Sequence, residues 1–267
     1  MSENEILDVT MEVTKEIAKD VYNDAGKPIA KPTGELLGLV PRAIKAALSP
    51  VEKWVLQKEY NIEETKRLLE QKLEKLSPDL IETPEPYIAV PALQYISYCM
   101  DNDELRDMYA NLLANSMNKV VKNGVHPGFV EIIKQLSPDE ARLLKRFKIV
   151  SVVPTINVRM KNEEGYGITI VKNFTDIGEK ANCEQKIDLN NYFDNLIRLG
   201  LLEKAELLST LETEEYDVLK KHPYIVSKIN NIDLSKTKYK TIDYVDSYIG
   251  ITDFGRTFCE ICISDDM

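Results

Sequence analysis

The hydrophobic pattern of this chain changes period once, and that change constrains the fold more than any other feature. Up to residue 136, apolar residues recur at three- and four-residue steps, the spacing of a helix face. Ile6, Val9, Val13, Ile17 and Val21 mark a leading helix over 1–25. A Gly- and Pro-rich break follows, then a Leu- and Ala-rich stretch from Glu35 to Leu48. Ser49-Pro50-Val51-Glu52 combines a capping Ser, a Pro at the first helical position and a Glu three residues after the cap. That combination opens a helix, which is predicted to reach Leu76. Residues 87–99, with Ile88, Val90, Leu93, Ile96 and Tyr98, read as a largely buried segment. Asp101 and Glu104 have capping-box spacing before the amphipathic stripe Leu105, Met108, Tyr109, Leu112, Leu113 and Met117. A short helix over 129–135 and another from Ser137-Pro138-Asp139-Glu140 to Phe147 follow.

From Ile149 the pattern changes to that of strands. Ile149 to Met160 is rich in Val, Ile and Thr, and Tyr166 to Phe174 alternates, with Asn162-Glu163-Glu164-Gly165 as a turn between them. Residues 188–199 return to a helix with Leu189, Tyr192, Phe193, Leu196 and Leu199 on one face. Gly200 stops it and Leu201 begins an extended segment. Residues 208–240 are polar and Lys-rich, with a helix near 212–221. Tyr244 to Ile251 is a strand, and Thr252 caps a last helix carrying Phe258, Ile261 and Cys262. This order predicts a mainly α fold with a smaller β component (α+β). A helical domain over 1–136 precedes a winged-helix-like domain over 137–267, with the hairpin as an insertion and 208–240 as a long wing.

Charge and cysteine content narrow the function classes. Acidic residues outnumber basic ones by 44 to 34, a formal charge of −10. Residues 1–136 hold 22 acidic and 16 basic side chains, and 137–267 hold 22 and 18. Neither half has the basic excess of a nucleic-acid binder. Four Cys in 267 residues do not make a disulfide scaffold. No apolar run approaches the length of a membrane span, and Met1-Ser2-Glu3-Asn4-Glu5 does not begin a secretory signal. The expectation is a cytoplasmic protein that meets a membrane, if at all, from its surface on activation.

Few residues carry chemistry. His126 has the ionisation range for acid–base or ligand work, but next to Pro127 it reads as fixing a loop, with a ring nitrogen bonded to a backbone carbonyl. The other histidine, His222, is far from it in sequence, so no zinc site is expected. Cys259 and Cys262 have the spacing of a redox or metal pair, yet lie in an apolar helix and read as core. Asp176, Glu184 and Lys186 loosely match a metal-dependent nuclease pattern without the strand that chemistry uses. Gly34, Gly38, Ala43 and Ala47 allow close helix approach, for assembly or membrane contact. If the winged part bound DNA, helix 188–199 would present Asn191, Asn195 and Arg198 to bases, and Lys236, Lys238 and Lys240 would meet phosphates. Asp188 and Asp194 oppose that reading, and protein contact is favoured.

The stretch Glu104-Leu105-Arg106-Asp107-Met108-Tyr109-Ala110-Asn111-Leu112-Leu113, the block His126-Pro127-Gly128-Phe129-Val130 and the block Leu136-Ser137-Pro138-Asp139-Glu140-Ala141 together resemble the abortive infection alpha family. The Leu48-Ser49-Pro50 segment and the closing Ile251-Thr252-Asp253-Phe254-Gly255 are similar to the same family, so the resemblance spans roughly residue 27 onward. It implies a bacterial role in defence against phage by abortive infection. It brings no reaction, cofactor or catalytic residue, so the expectation is a non-enzymatic protein acting through a protein partner, self-assembly or peripheral membrane contact. The alternatives are a winged-helix DNA-binding regulator and a nuclease-type toxin.

Overall fold

The computed structural model describes residues 64–74, 76–205 and 213–263. The predicted helix over 1–25, the segment 27–50 and the capping sequence at Ser49 lie outside these residues. Residues 64–73 are helical, and Leu68 and Leu69 pack against the main core.

Capping chemistry accounts for several of the helix starts that follow. Helix α1 (Pro86–Ile96) begins with Pro in its first turn and contains Pro91. Helix α2 (Asp103–Ser116) is capped by Asn102, whose side chain accepts from the Leu105 N–H at 2.9 Å. The cap is therefore one residue later than the Asp101 box predicted. Helix α3 (Gly128–Lys134) is short, and α4 (Pro138–Val150) starts with the full capping box of Ser137 and Glu140. Helix α4 also runs past Phe147, so Ile149 and Val150 are helical rather than the start of a strand. Ser151, at φ 58°, ends it.

Strands β1 (Val152–Lys161) and β2 (Gly167–Phe174) form the predicted hairpin, with register shifts on either side of Val158. Then come a single turn of helix, α5 (Ile177–Lys180), and α6 (Asn190–Arg198), followed by β3 (Leu202–Ala205). Gly200, at φ +75°, makes the left-handed stop between α6 and β3. Two helices, α7 (Thr213–Lys220) and α8 (Pro223–Asn230), lead to β4 (Thr241–Ile251) and the last helix, α9 (Asp253–Cys262). The four strands are antiparallel in the order β2-β1-β4-β3, so the described residues form an α+β fold.

Strand alternation gives β1 two different neighbours. Val153, beside Ile249 of β4, feeds the main core with α1, α2, α3, α4, α6 and α9. That core takes side chains from both sides of residue 136, including Tyr109, Phe129, Leu144, Leu196 and Phe258. Ile156 and Val158 point the other way and pack with Phe174, Tyr216, Leu219 and Ile225 in a second, smaller cluster. The segment read as a polar wing with one helix thus holds two helices that cover one sheet face. Helix α8 was missed because Tyr224-Ile225-Val226 sits among polar residues. Its legible signal was His222-Pro223, a cap followed by Pro at the first position.

The stretch 87–99 is only half buried. Ile88, Ala92 and Ile96 lie in the core, whereas Tyr87, Val90, Leu93 and Tyr98 face outward. Among the described residues no helix is long and apolar enough to cross a membrane.

Candidate functional site

The Ser137-Pro138-Asp139-Glu140 block joins the helices to the strand-bearing part through buried polar groups. The Glu140 carboxylate accepts from the Ser137 N–H at 2.7 Å to close the capping box, and its other oxygen accepts from Asn195 of α6 at 2.7 Å. Asp139 is buried and receives five donors. The backbone N–H groups of Glu184 and Gln185 reach it at 2.8 and 2.9 Å. The Tyr192 hydroxyl donates at 3.2 Å and Arg142 at 2.8 Å. Arg142 also donates to Glu104 of α2 at 2.6 Å, so one guanidinium links α2, α4 and Asp139. Burial alone would raise the Asp139 carboxyl. The two backbone donors, the tyrosine hydroxyl and the arginine outweigh burial and hold it below the ordinary carboxylate range. The fifth contact reaches its backbone: the Cys183 thiol lies 3.6 Å from the Asp139 carbonyl oxygen.

The His126-Pro127-Gly128-Phe129 block makes a second junction, built of rings. The Phe129 ring is buried, 5.2 Å from Phe258 and 5.5 Å from Phe254, both on α9. His126 is exposed, with ring centroids 5.8 Å from Phe129 and from Phe254. Its Nδ1 accepts from the Gly128 N–H at 3.0 Å, so in this bond the ring is the acceptor to an N–H rather than the partner of a carbonyl as predicted. At the start of α9, Thr252 Oγ1 accepts from the Gly255 N–H at 2.8 Å and donates to the Gly200 carbonyl at 2.6 Å. A Cβ on Gly255 would lie 2.1 Å from the Leu201 carbonyl oxygen, so this close approach requires glycine. Asn111 and Asn115 of α2 complete the contact by donating to the carbonyls of Cys262 and Ile261 at 3.0 and 2.7 Å. The sequence blocks 126–129 and 252–255, far apart in the chain, therefore meet.

The profile of the abortive infection alpha family matches residues 57–262, a range that contains both junctions. The chain belongs to the abortive infection alpha family. No curated protein matches it. It is similar to a solved uncharacterised protein from the hydrocarbon-degrading marine bacterium Alcanivorax borkumensis SK2, at 15% identity and a TM-score of 0.34, over 51% of this chain and 92% of that one.

In this abortive infection alpha protein the residues considered for chemistry fall in separate places. Cys259 and Cys262 are fully buried, and burial pushes the Cys259 thiol up to about 12 and raises that of Cys262 well above the ordinary thiol range. Asp176 pairs with Lys180 at 2.9 Å, and the Glu184 side chain is exposed. No group of three or more His, Cys, Asp or Glu among the described residues could hold a metal.

The residues considered for DNA are similarly divided. On α6, Asn195 donates to the Gln135 carbonyl at 3.0 Å as well as to Glu140. Arg198 donates to the side-chain oxygens of Gln135 at 2.9 Å and Asn195 at 2.6 Å. Asn191 lies exposed on the outer side of the helix. Lys236 pairs with Asp233 at 3.0 Å, Lys238 sits over the Tyr239 ring, and the Lys240 N–H bonds the Lys161 carbonyl at 2.7 Å. Asn190 of α6 instead bonds the Lys172 carbonyl on β2. Gly34, Gly38, Ala43 and Ala47 lie outside the described residues.

The residue that sequence reasoning passed over was Asp139. Its local signal, an acid in the first turn after Ser-Pro, is fully explained by helix capping and the helix dipole. Nothing near it announces donors 45 residues onward. A groove of about 390 Å³ lies beside it, bordered by Glu104, Asp107, Arg142 and Lys145. At its border Arg142 pairs with Glu104, and Asp107 pairs with Lys72.

Proposed function

We propose that this protein acts in bacterial defence against phage by abortive infection, through contact with another protein or with further copies of itself rather than through catalysis. The observation that carries this reading is the family match over residues 57–262. The binding mode is supported by how the polar groups are used. Asp139, Glu140, Arg142 and Asn195 are occupied in fastening elements together, and the paired cysteines are buried thiols with little thiolate character.

We read residues 137–267 as an elaborated winged helix in the cytoplasm. Support comes from the order α4, β1, α5, α6, β3, β4, with β4 between β1 and β3. In this reading β2 is an insertion and α7 with α8 an enlarged wing. Asn195 is engaged by Glu140 and the Gln135 carbonyl, and Arg198, though exposed, is bonded to Gln135 and Asn195, which favours protein contact over base reading. The segment 27–50 is proposed as a further assembly or membrane contact.

The test is phage plating and culture survival in a bacterial host with and without the gene, at low and high phage dose. Protection at low dose with culture collapse at high dose is expected. Absence of protection across a broad phage panel would overturn the defence reading for this protein.

A further inference from the structure

The two histidines of the chain make the same bond. Each stands before a proline, and in each the ring Nδ1 accepts from the N–H two residues on. His126 accepts from Gly128 at 3.0 Å and His222 from Tyr224 at 3.2 Å. Such a bond satisfies a free backbone donor, and it holds only while Nδ1 carries no proton. At His126 the bond lies in an exposed turn. At His222 it lies in a joint between elements, where it is the N-terminal cap of α8.

The His222 side chain is 16% exposed, and its Nε2 lies 3.5 Å from Glu179 Oε2 on α5. Its ring centroid is 5.0 Å from that of Phe174 at the end of β2, and the Phe174 ring stacks on Tyr224 of α8 at 5.5 Å. Ile177 places α5 in the main core, whereas Phe174 and Ile225 belong to the smaller cluster. One imidazole therefore touches the cover, the strand beneath it and a helix rooted in the other interior. Among the described residues Glu179 is the one carboxylate within ion-pair reach of the ring. The other charges on these elements are engaged or turned to solvent. Asp176 pairs with Lys180 and Lys220 with Asp246, each at 2.9 Å, and Lys228 lies over the Tyr224 ring. Lys172, Glu214, Glu215 and Lys221 are exposed, and Asp217 is half-buried.

We propose that His222 is a pH-sensitive latch on the α7–α8 cover: neutral, it caps α8 and faces Glu179 of α5; protonated, it gives up the cap. A proton on Nδ1 turns the acceptor into a donor pointed at the Tyr224 N–H, so that bond is lost. Nε2–H keeps its contact with Glu179 in either state, as an ion pair once the ring is charged. Glu179 is exposed, so this pair adds little and does not restore the start of α8. The cover therefore loosens as pH falls from about 7.5 to about 5.5, a span over which imidazoles gain charge. The main core does not follow, because Asp139 is held below the ordinary carboxylate range and keeps its charge throughout. The latch does not rest on the defence reading.

The test is hydrogen exchange of the full chain at both ends of that pH span, divided by the intrinsic exchange rate at each pH, for wild type, His222→Asn and Glu179→Gln. In wild type the protection of α8 relative to α2 is expected to fall about fivefold, the size of one lost cap. His222→Asn caps without titrating and is expected to stay level. Glu179→Gln is expected to keep the fall, because the cap is what is lost. Nitrogen NMR of the histidine rings in wild type needs no variant and is expected to show His222 protonated on Nε2 alone at the upper pH. Level protection in wild type overturns the proposal, as does an equal fall in His222→Asn. A fall that vanishes in Glu179→Gln assigns the switch to the carboxylate and overturns it as well. So does a neutral His222 ring protonated on Nδ1, which cannot accept from Tyr224.

Discussion

The two faces of β1 lead into interiors of different construction. Behind Val153 lies the main core, where seven helices and strands β1, β3 and β4 meet and buried polar groups tie them together. Behind Ile156 and Val158 lies a cluster of six buried side chains under α7 and α8, held with one ion pair, Lys220 to Asp246 at 2.9 Å, and one tyrosine bond, Tyr216 to the Ser247 carbonyl at 3.1 Å. The main core is built from contacts between distant parts of the chain, so loosening one element loosens all. The smaller cluster is a cover added to a finished sheet. Its opening should be local, in the sense that stability is distributed unevenly over a structure.

Substitutions can break or sharpen this contrast. The largest effect is expected from Phe129→Ala, which removes a fully buried ring between α3 and α9. A loss of about 4 kcal/mol in denaturant unfolding is expected, with all probes reporting one transition. A loss below about 1 kcal/mol would mean that the two family blocks do not depend on each other.

Asp139→Ala comes next, at about 3 kcal/mol, because it leaves the backbone donors of residues 184 and 185 without their acceptor and removes one carboxylate partner of Arg142. The pH dependence has a defined sign. The Asp139 carboxyl is held below its ordinary value when folded, so its contribution is fully present above the ordinary carboxylate range. It is lost as pH falls through the folded value. Stability measured from neutral pH down through about pH 4 should therefore fall more steeply in wild type than in Asp139→Asn.

Ile225→Ala tests the cover. About 2 kcal/mol is expected for emptying a fully buried site, with faster hydrogen exchange in α7 and α8 and unchanged protection in α2. Equal loosening of α2 would show that the two interiors are one. The smallest effect is expected at Arg198→Ala. Its exposed bonds to Gln135 and Asn195 should be worth no more than about 1 kcal/mol. Thiol labelling provides a final check, since half-buried Cys99 should react before Cys183, Cys259 and Cys262, whose reaction should await unfolding.

How much of this was legible beforehand follows the range of the interactions. The Ser137 box, the Thr252 cap and the Gly200 stop were readable because each depends on groups within a few residues. Helix α8 was less so, since its apolar triplet is too short to set a period. The β2–β1 hairpin was readable from its turn. The β1–β4 pairing, from Lys161 with Thr241 to Val152 with Gly250, was implied only by analogy with a known element order. The site followed the same division. His126 and Phe129 were singled out from the sequence, but their ring partners on α9 and the Gly128 N–H that His126 accepts came from the fold.

By itself the sequence determined the starts of several helices, the change of period from helix to strand, and which family the chain resembles. These are properties of local chemistry and of residue order. Tertiary structure alone decided that Asp139 is the acceptor at the junction, that Asn195 is bonded to Glu140 and the Gln135 carbonyl, and that α1 keeps half of its apolar surface exposed. The physical reason is distance along the chain. A carboxylate, an amide or an apolar helix face is specified locally, but its partner is selected only when closing the intervening loops brings distant groups within bonding range.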